Sequence, residues 1–384
     1  MRVCTTTAAS LLCVCTVGLL LLLCCPPVRG IRWLSLMRTS VLASEAAPSP
    51  RGDVSRSSWN RSCESLRVLT RQQRRMCKRN APFMDTVRRG AQLAVLECQH
   101  QFRARRWNCS TINGTRIFSK AVSDGTREAA FVHALSAAAL AHEVTRACSQ
   151  GRLEDRCGCD LSVQGDSAEG FKWSGCSDNV AYGLAFSKSF VDARDLRAAR
   201  SKANPRALVN LHNNNVGRKV VRSQMTRQCK CHGVSGSCEL RTCWRELRPF
   251  RSVGAVLRDK FDGATEVQVK RRSTPGTRSS SVPRPLIVPV NPLVRQDGTD
   301  LQYLRSSPNF CKVNPALGFL GTRGRRCLPE PGSTPESSCQ VLCCGRGFVT
   351  RTERIAERCD CKFYWCCEVR CATCVREISV STCR

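Results

Sequence analysis

Residues 229–238 read "CKCHGVSGSC", a run in which three cysteines and a histidine surround Ser235. Three chemistries fit such a run. A metal site would use the thiolates and His232, and a second cluster, "CDC" at 359–361 with "CATC" at 371–374, has the look of a four-thiolate zinc site. A nucleophile would be Ser235 itself, because "GVSGS" at 233–237 nearly repeats G-x-S-x-G, although its fifth position is Ser237 rather than glycine. That motif also needs a strand before it, whereas the preceding segment here is helical in pattern, and no acid is placed to orient His232. The third chemistry is display. Cys229 and Cys231 before the serine and Cys238 and Cys243 after it are arranged so that nested bridges Cys231–Cys238 and Cys229–Cys243 would close a tight hairpin. Gly233 and Gly236 would allow the unusual backbone angles of its tip. Ser235 then stands exposed and held still, a natural substrate for a modifying enzyme.

The compartment decides among the three. Residues 1–30 carry Arg2, an apolar run from Leu11 to Cys25 broken only by Thr16 and Gly18, and then "PPVRG". This is the pattern of a secretory signal peptide cleaved after Gly30; a membrane anchor would need about 20 apolar residues. Of 29 cysteines, five lie in that segment, and the remaining 24 form an even set behind a signal peptide, the mark of a disulfide framework. Oxidation consumes the thiolates zinc requires, so neither a metal nor a cofactor is expected. Acceptor tripeptides for N-glycosylation at Asn60, Asn108 and Asn113 fit the same route. The formal charge of +31 falls to +29 without Arg2 and Arg29. Outside the cell such a charge meets heparan sulfate rather than nucleic acid, or else it is a diffusely basic soluble surface.

The elements that must hold these residues follow from periodicity. Residues 31–58 lack it and suggest a loosely ordered lead-in. From Trp59 to residue 269 the pattern is mainly helical. Met84, Val87, Ala91, Ala94, Cys98 and Phe102 recur at three- and four-residue steps behind an Asn80 cap and Pro82. An alanine-rich helix runs from about Thr126 to Cys148; His133 and His142 within it do not share a face and are expected to be surface or groove residues. A third helix starts near Ser177 as cap, and a fourth at Pro205 behind Asn204. Residues 270–300 hold five prolines among Ser, Arg and Gly and suggest a linker. Residues 301–384 form a second domain, in which 12 cysteines fall within the last 74 residues, so covalent bridges must replace a large core.

"QCKCHGVSGSCELRTCW" closely resembles the signature of the Wnt secreted signalling proteins. So do "RRWNCS" at 105–110, "GTREAAFVHA" at 125–134, "WSGCSDN" at 173–179, "LHNNNVGR" at 211–218, "KFDGATEV" at 260–267, "LGTRGRRC" at 320–327, "CCGRGF" at 343–348 and "CKFYWCCEVRC" at 361–371, in Wnt order. The resemblance spans residues 59–384. It implies a two-domain, hand-like fold: a mainly α amino-terminal domain carrying a disulfide-pinned β-hairpin, the lipid-bearing thumb, and a small disulfide-rich β-hairpin carboxy-terminal domain with an index finger. It implies that Ser235 is the serine the acyltransferase Porcupine esterifies with palmitoleate, and that Phe363, Tyr364, Trp365, Cys366, Cys367 and Val369 form the fingertip gripping a Frizzled cysteine-rich domain. By the family pattern Cys98 pairs with Cys109, Cys148 with Cys157, Cys159 with Cys176, Cys311 with Cys344, Cys327 with Cys339, Cys343 with Cys383, Cys359 with Cys374, Cys361 with Cys371 and Cys366 with Cys367, leaving Cys63 and Cys77 for each other.

The implied activity is that of a secreted morphogen, not an enzyme, and it brings further partners. These are Wntless as carrier, a lipoprotein-receptor-related co-receptor and heparan sulfate proteoglycans, with membrane association through the lipid only. Two stretches depart from the pattern: residues 328–338 lack a glycosylation acceptor common in relatives, and the arm at 270–300 is long. From composition alone, a disulfide-rich heparin-binding matrix protein is the alternative.

Overall fold

The computed structural model describes residues 31–39, 56–109, 125–153, 156–202, 204–270, 285–294, 297–329, 337–365 and 367–384; the expected signal peptide lies outside them. A 3-10 helix at Arg32–Arg38 precedes α1 (Arg56–Ser65), α2 (Arg71–Arg79), α3 (Ala81–Gln101) and α4 (Arg127–Ser149). Then come β1 (Gly165–Asp166), β2 (Lys172–Trp173), α5 (Val180–Val191), α6 (Ala193–Lys202), α7 (Pro205–Ser223), β3 (Met225–Cys231), β4 (Arg241–Leu247), α8 (Phe250–Asp262) and β5 (Thr265–Lys270). The chain continues with β6 (Leu286–Pro289), β7 (Gln302–Tyr303), β8 (Arg326–Cys327), α9 (Cys339–Leu342), β9 (Phe348–Tyr364) and β10 (Glu368–Cys383). The strands form three small sheets, ordered β1-β2-β4-β3, β6-β5-β7 and β8-β10-β9.

The helices assemble around α4. Its alanine run together with Phe131, Leu135 and Leu140 is buried on nearly every side, as in a helix enclosed by others. Small residues let its neighbours approach. A Cβ added at Gly217 of α7 would lie 1.9 Å from the Ala134 carbonyl oxygen, and one at Gly183 of α5 would lie 2.1 Å from Thr145 Oγ1. α3 buries Met84, Val87, Ala91, Ala94 and Cys98, the face its periodicity marks. At the α5–α6 junction, enclosed Asp192 accepts bonds of 3.0 and 2.9 Å from Arg218 and one of 2.9 Å from Asn214, tying α7 to the junction.

Several expectations need correction. Part of the lead-in is ordered: Trp33, Leu34 and Leu36 are buried in the helical core, with Trp33 edge-on to Phe190 at 5.7 Å. A seven-residue 3-10 helix is too short to show periodicity, yet an indole and two leucines gain enough by burial to hold it. The linker is not wholly irregular either, since Leu286–Pro289 pairs antiparallel with β5. Nor does the core stop at residue 300: Leu301, Phe310 and Phe319 join it, and Phe310 meets Trp107 and Phe319.

Asn179, not Ser177, caps α5, accepting from the Tyr182 amide at 3.1 Å, while buried Ser177 Oγ accepts from the Arg245 amide. Asn80 makes no side-chain cap bond, although Asn204 does. His142 is buried, with Nε2 3.1 Å from the Arg248 carbonyl and its ring edge-on to Phe250. Its position 106 residues from that partner is why sequence spacing hid the contact.

The carboxy-terminal unit has only a small core of Cys327, Cys339, Leu342, Cys343 and Cys383. Bonds Cys311–Cys344, Cys327–Cys339 and Cys343–Cys383 fasten it, and β9 and β10 project from it as one long hairpin.

Candidate functional site

β3 and β4 pair in register from Met225↔Leu247 to Cys231↔Arg241, which sets Cys229 opposite Cys243. Those two are bonded, and nearer the tip Cys231 is bonded to Cys238. Between the inner cysteines the backbone folds on itself: the His232 amide donates to the Leu240 carbonyl at 2.7 Å and Gly233 to Ser237 at 2.9 Å. Gly236 donates back to Gly233 at 3.0 Å and Ser237 to Val234 at 3.1 Å. Ser235 sits at the apex, exposed and in the left-handed region at φ 57°.

A non-glycine residue held there costs roughly 1–2 kcal/mol, which the closed ring must offset. Gly236, at φ 80°, supplies the angle freedom expected of it, but Gly233 has an ordinary φ of −68°. Its role is space: a Cβ there would lie 1.9 Å from Ser237 Oγ. His232 Nε2 is 2.7 Å from Thr242 Oγ1, so the imidazole is oriented toward the hairpin stem. The segment before Ser235 is strand β3 rather than the helix expected, but a histidine turned to Thr242 does not pair with the serine, and the hydroxyl is left presented. Val234 and Leu240 beside it are 91% and 64% exposed.

The second tip is the turn between β9 and β10. Bonds Cys359–Cys374 and Cys361–Cys371 brace the strands below it. These are the four sulfurs with zinc-like spacing, and each is taken by a disulfide. Phe363 pairs across from Val369 and Tyr364 from Glu368, with the ladder shifted at Arg370/Ala372. Trp365 stands 95% exposed at the end, and Phe363, Tyr364 and Val369 are exposed around it. Arg370 lies over the Tyr364 ring at 5.1 Å, and the bonded Glu368 carboxylate raises its pKa above the usual guanidinium value. Among the described residues the aromatic side chains of this tip are exposed rather than packed in a core.

Cys367 is exposed and bonded to no described cysteine; its expected partner Cys366 lies outside the described residues.

The remaining cysteines join as Cys63–Cys77, Cys98–Cys109, Cys148–Cys157 and Cys159–Cys176. Asn60 is half-buried within α1, Asn108 is half-buried next to Cys109, and Asn113 lies outside the described residues. A cavity of about 270 Å³ lined by Trp33, Gln73, His133 and Asp195 holds none of the site residues. Burial there pushes the His133 pKa below the usual imidazole value.

Sequence reasoning passed over one feature of the thumb. Phe171 and Trp173 lie against its stem beneath Arg227, Arg241 and Arg245. The alternation of Phe171 and Trp173 with Lys172 between them was the available signal.

Fold and tips together define a disulfide-stapled protein with a helical amino-terminal region and a disulfide-rich carboxy-terminal hairpin unit, which displays a serine on one hairpin and an aromatic turn on another. The Wnt family model matches residues 65–384, and the chain belongs to the Wnt family of secreted signalling proteins. It is 43% identical over 341 residues to Protein Wnt-1 of Caenorhabditis elegans, covering 84% of this chain and 89% of the relative. To Protein Wnt-1 of Ambystoma mexicanum it is 44% identical over 315 residues, covering 81% and 82%. A chain of the solved structure "Human WLS in complex with WNT8A" aligns with a TM-score of 0.55 and 36% identity, over 79% of this chain and 94% of that one. Among the described residues no helix is long and apolar enough to cross a membrane.

Proposed function

We propose that this Wnt ligand carries palmitoleate on Ser235, attached by Porcupine, and engages Frizzled receptors by inserting that chain into a groove of their cysteine-rich domain. The observation that carries the reading is the thumb tip: an exposed serine fixed at φ 57° inside two nested disulfides, with its nearest histidine turned toward Thr242. Such a hydroxyl suits an acyl-transfer enzyme that must find it in one geometry. Burying the chain at about 0.8 kcal/mol per methylene contributes on the order of 10 kcal/mol as an upper limit, while one chain alone anchors only marginally to a bilayer. The lipid can therefore pass from a carrier to a receptor.

Likeness to the chain in the WLS–WNT8A structure supports Wntless as that carrier. Trp365, Phe363, Tyr364 and Val369 form the second Frizzled contact, a small aromatic hot spot. A lipoprotein-receptor-related co-receptor and heparan sulfate proteoglycans complete the partners, and the signal runs through the β-catenin or polarity branch. The protein itself catalyses nothing. Within the family, the wording of "KFDGATEV" and "MCKRN" resembles the fourth vertebrate subtype.

Intact-mass measurement of the secreted protein, with mapping of the peptide spanning Ser235, tests the lipid directly. Ser235→Ala is expected to export poorly and to give no reporter signal; full signalling from that variant would sink the acyl mechanism. Trp365→Ala is expected to weaken Frizzled binding while leaving the acyl group in place.

A further inference from the structure

The stem of the thumb carries charge that the acyl site does not use. Arg227 of β3 and Arg245 of β4 face each other directly in the ladder, and Arg241 lies four residues from Arg245 on the same face. Like charges in register repel, so the arrangement calls for a compensating anion. Arg227 lies 4.8 Å and Arg241 5.7 Å from the Phe171 ring centre, and Arg245 lies 5.5 Å from that of Trp173. Among the described residues their one carboxylate partner is Glu169, paired with Arg227; Arg241 donates to the Glu169 backbone carbonyl at 3.3 Å. Of the three guanidiniums, only that of Arg227 is paired with a described carboxylate. Arg227 and Arg245 are exposed and Arg241 is half-buried.

The order along the hairpin matters. Leu240 and Val234 are exposed at the tip, Arg241 follows Leu240 directly, and Arg245 lies roughly 13 Å further along the strand at about 3.4 Å per residue. Apolar tip, then charge, is the sequence of environments met on leaving a bilayer.

We infer that the thumb docks on an anionic bilayer. The acyl chain with Val234 and Leu240 enters the hydrocarbon boundary, and Arg241, Arg227 and Arg245 hold anionic headgroups. The inference rests on acylation of Ser235. It supplies the second signal that stable anchoring of a singly acylated protein requires. The headgroup layer is roughly 5–8 Å thick on each side, so Arg241 falls within it and the Arg227/Arg245 pair within about one Debye length of its edge. A sulfated glycan strand would meet the arginines alone, whereas the passage from exposed Val234 and Leu240 into the arginines matches the apolar-then-anionic order of a bilayer, so the bilayer is the occupant the surface favours.

The test uses full-length secreted protein, its Ser235 acylation verified by intact mass, in sedimentation with phosphatidylcholine vesicles with and without phosphatidylserine. Arg227→Gln/Arg241→Gln/Arg245→Gln is compared with Arg351→Gln/Arg354→Gln/Arg358→Gln on β9, which removes the same charge elsewhere. At about 1 kcal/mol per arginine near the surface, the thumb triple is expected to lose on the order of a hundredfold in affinity for the anionic vesicles, and the β9 triple far less. Replacing the same three thumb arginines by lysine is expected to retain most of the binding, which separates charge from misfolding. Equal losses in both glutamine triples would overturn the inference. So would a thumb triple that loses heparin retention but keeps its vesicle preference, which assigns the face to a glycan. The comparison repeated on a Ser235→Ala background keeps the two readings apart. A missing acyl mass refutes the lipid assignment, whereas an unchanged thumb triple on that background refutes the headgroup contact.

Discussion

Removing the inner thumb bridge tests whether Ser235 is held or merely located. Cys231 and Cys238 close a loop of eight residues, and the outer Cys229–Cys243 bond lies below it. In the chain-entropy account, closing eight residues restricts the open state by about 2.5 kcal/mol, a factor of roughly 70 in the population of the closed tip. The exposed backbone hydrogen bonds of the tip, each contributing about 1 kcal/mol, also favour closure, and the roughly 1–2 kcal/mol cost of left-handed Ser235 opposes it. The double variant Cys231→Ser/Cys238→Ser should therefore free the tip while the helical core keeps its fold. Hydrogen exchange at the amides of Gly233, Gly236 and Ser237 is expected to speed up by a factor of tens, with α4 amides unchanged. Acyl occupancy at Ser235 should fall in parallel. Unchanged protection of those three amides would refute the claim that the disulfide fixes the serine.

Three further outcomes follow from the packing. Gly217→Ala drives a methyl into the Ala134 carbonyl and should destabilise the amino-terminal domain by about 1–3 kcal/mol or more in denaturant unfolding. Asp192→Ala strands the enclosed Arg218 charge and should cost about 3–5 kcal/mol by the same assay, whereas a surface pair such as Arg354–Glu377 should be nearly silent to truncation. His142 has its pKa lowered by burial, so the folded state binds fewer protons than the unfolded chain just below pH 6.5; stability is full above about that pH and falls as acid is added. Unfolding midpoints taken at neutral and mildly acidic pH should show a smaller difference in His142→Gln, while His133 and His100, also lowered by burial, contribute in the same direction.

Local pattern determined much of this protein. The apolar face of α3, the alanine-rich α4 and the Asn204 cap of α7 depend on contacts within a turn or two, so periodicity and capping chemistry reveal them. The thumb cysteines are close in sequence, and their nested closure follows from spacing alone. Tertiary structure decided what depends on distant partners. Trp33, Leu34 and Leu36 give no periodic signal, yet find a core built chiefly from later helices. His142 is buried by a carbonyl 106 residues away, and Phe310 is drawn from the second domain's sequence into the first domain's core. Sequence gives Gly233 the role of allowing unusual backbone angles, but it is a gap kept for Ser237, because steric room is invisible until the chain has folded back on itself. The same holds for Arg227, Arg241 and Arg245: scattered in the sequence, they become one face only when β2, β3 and β4 align.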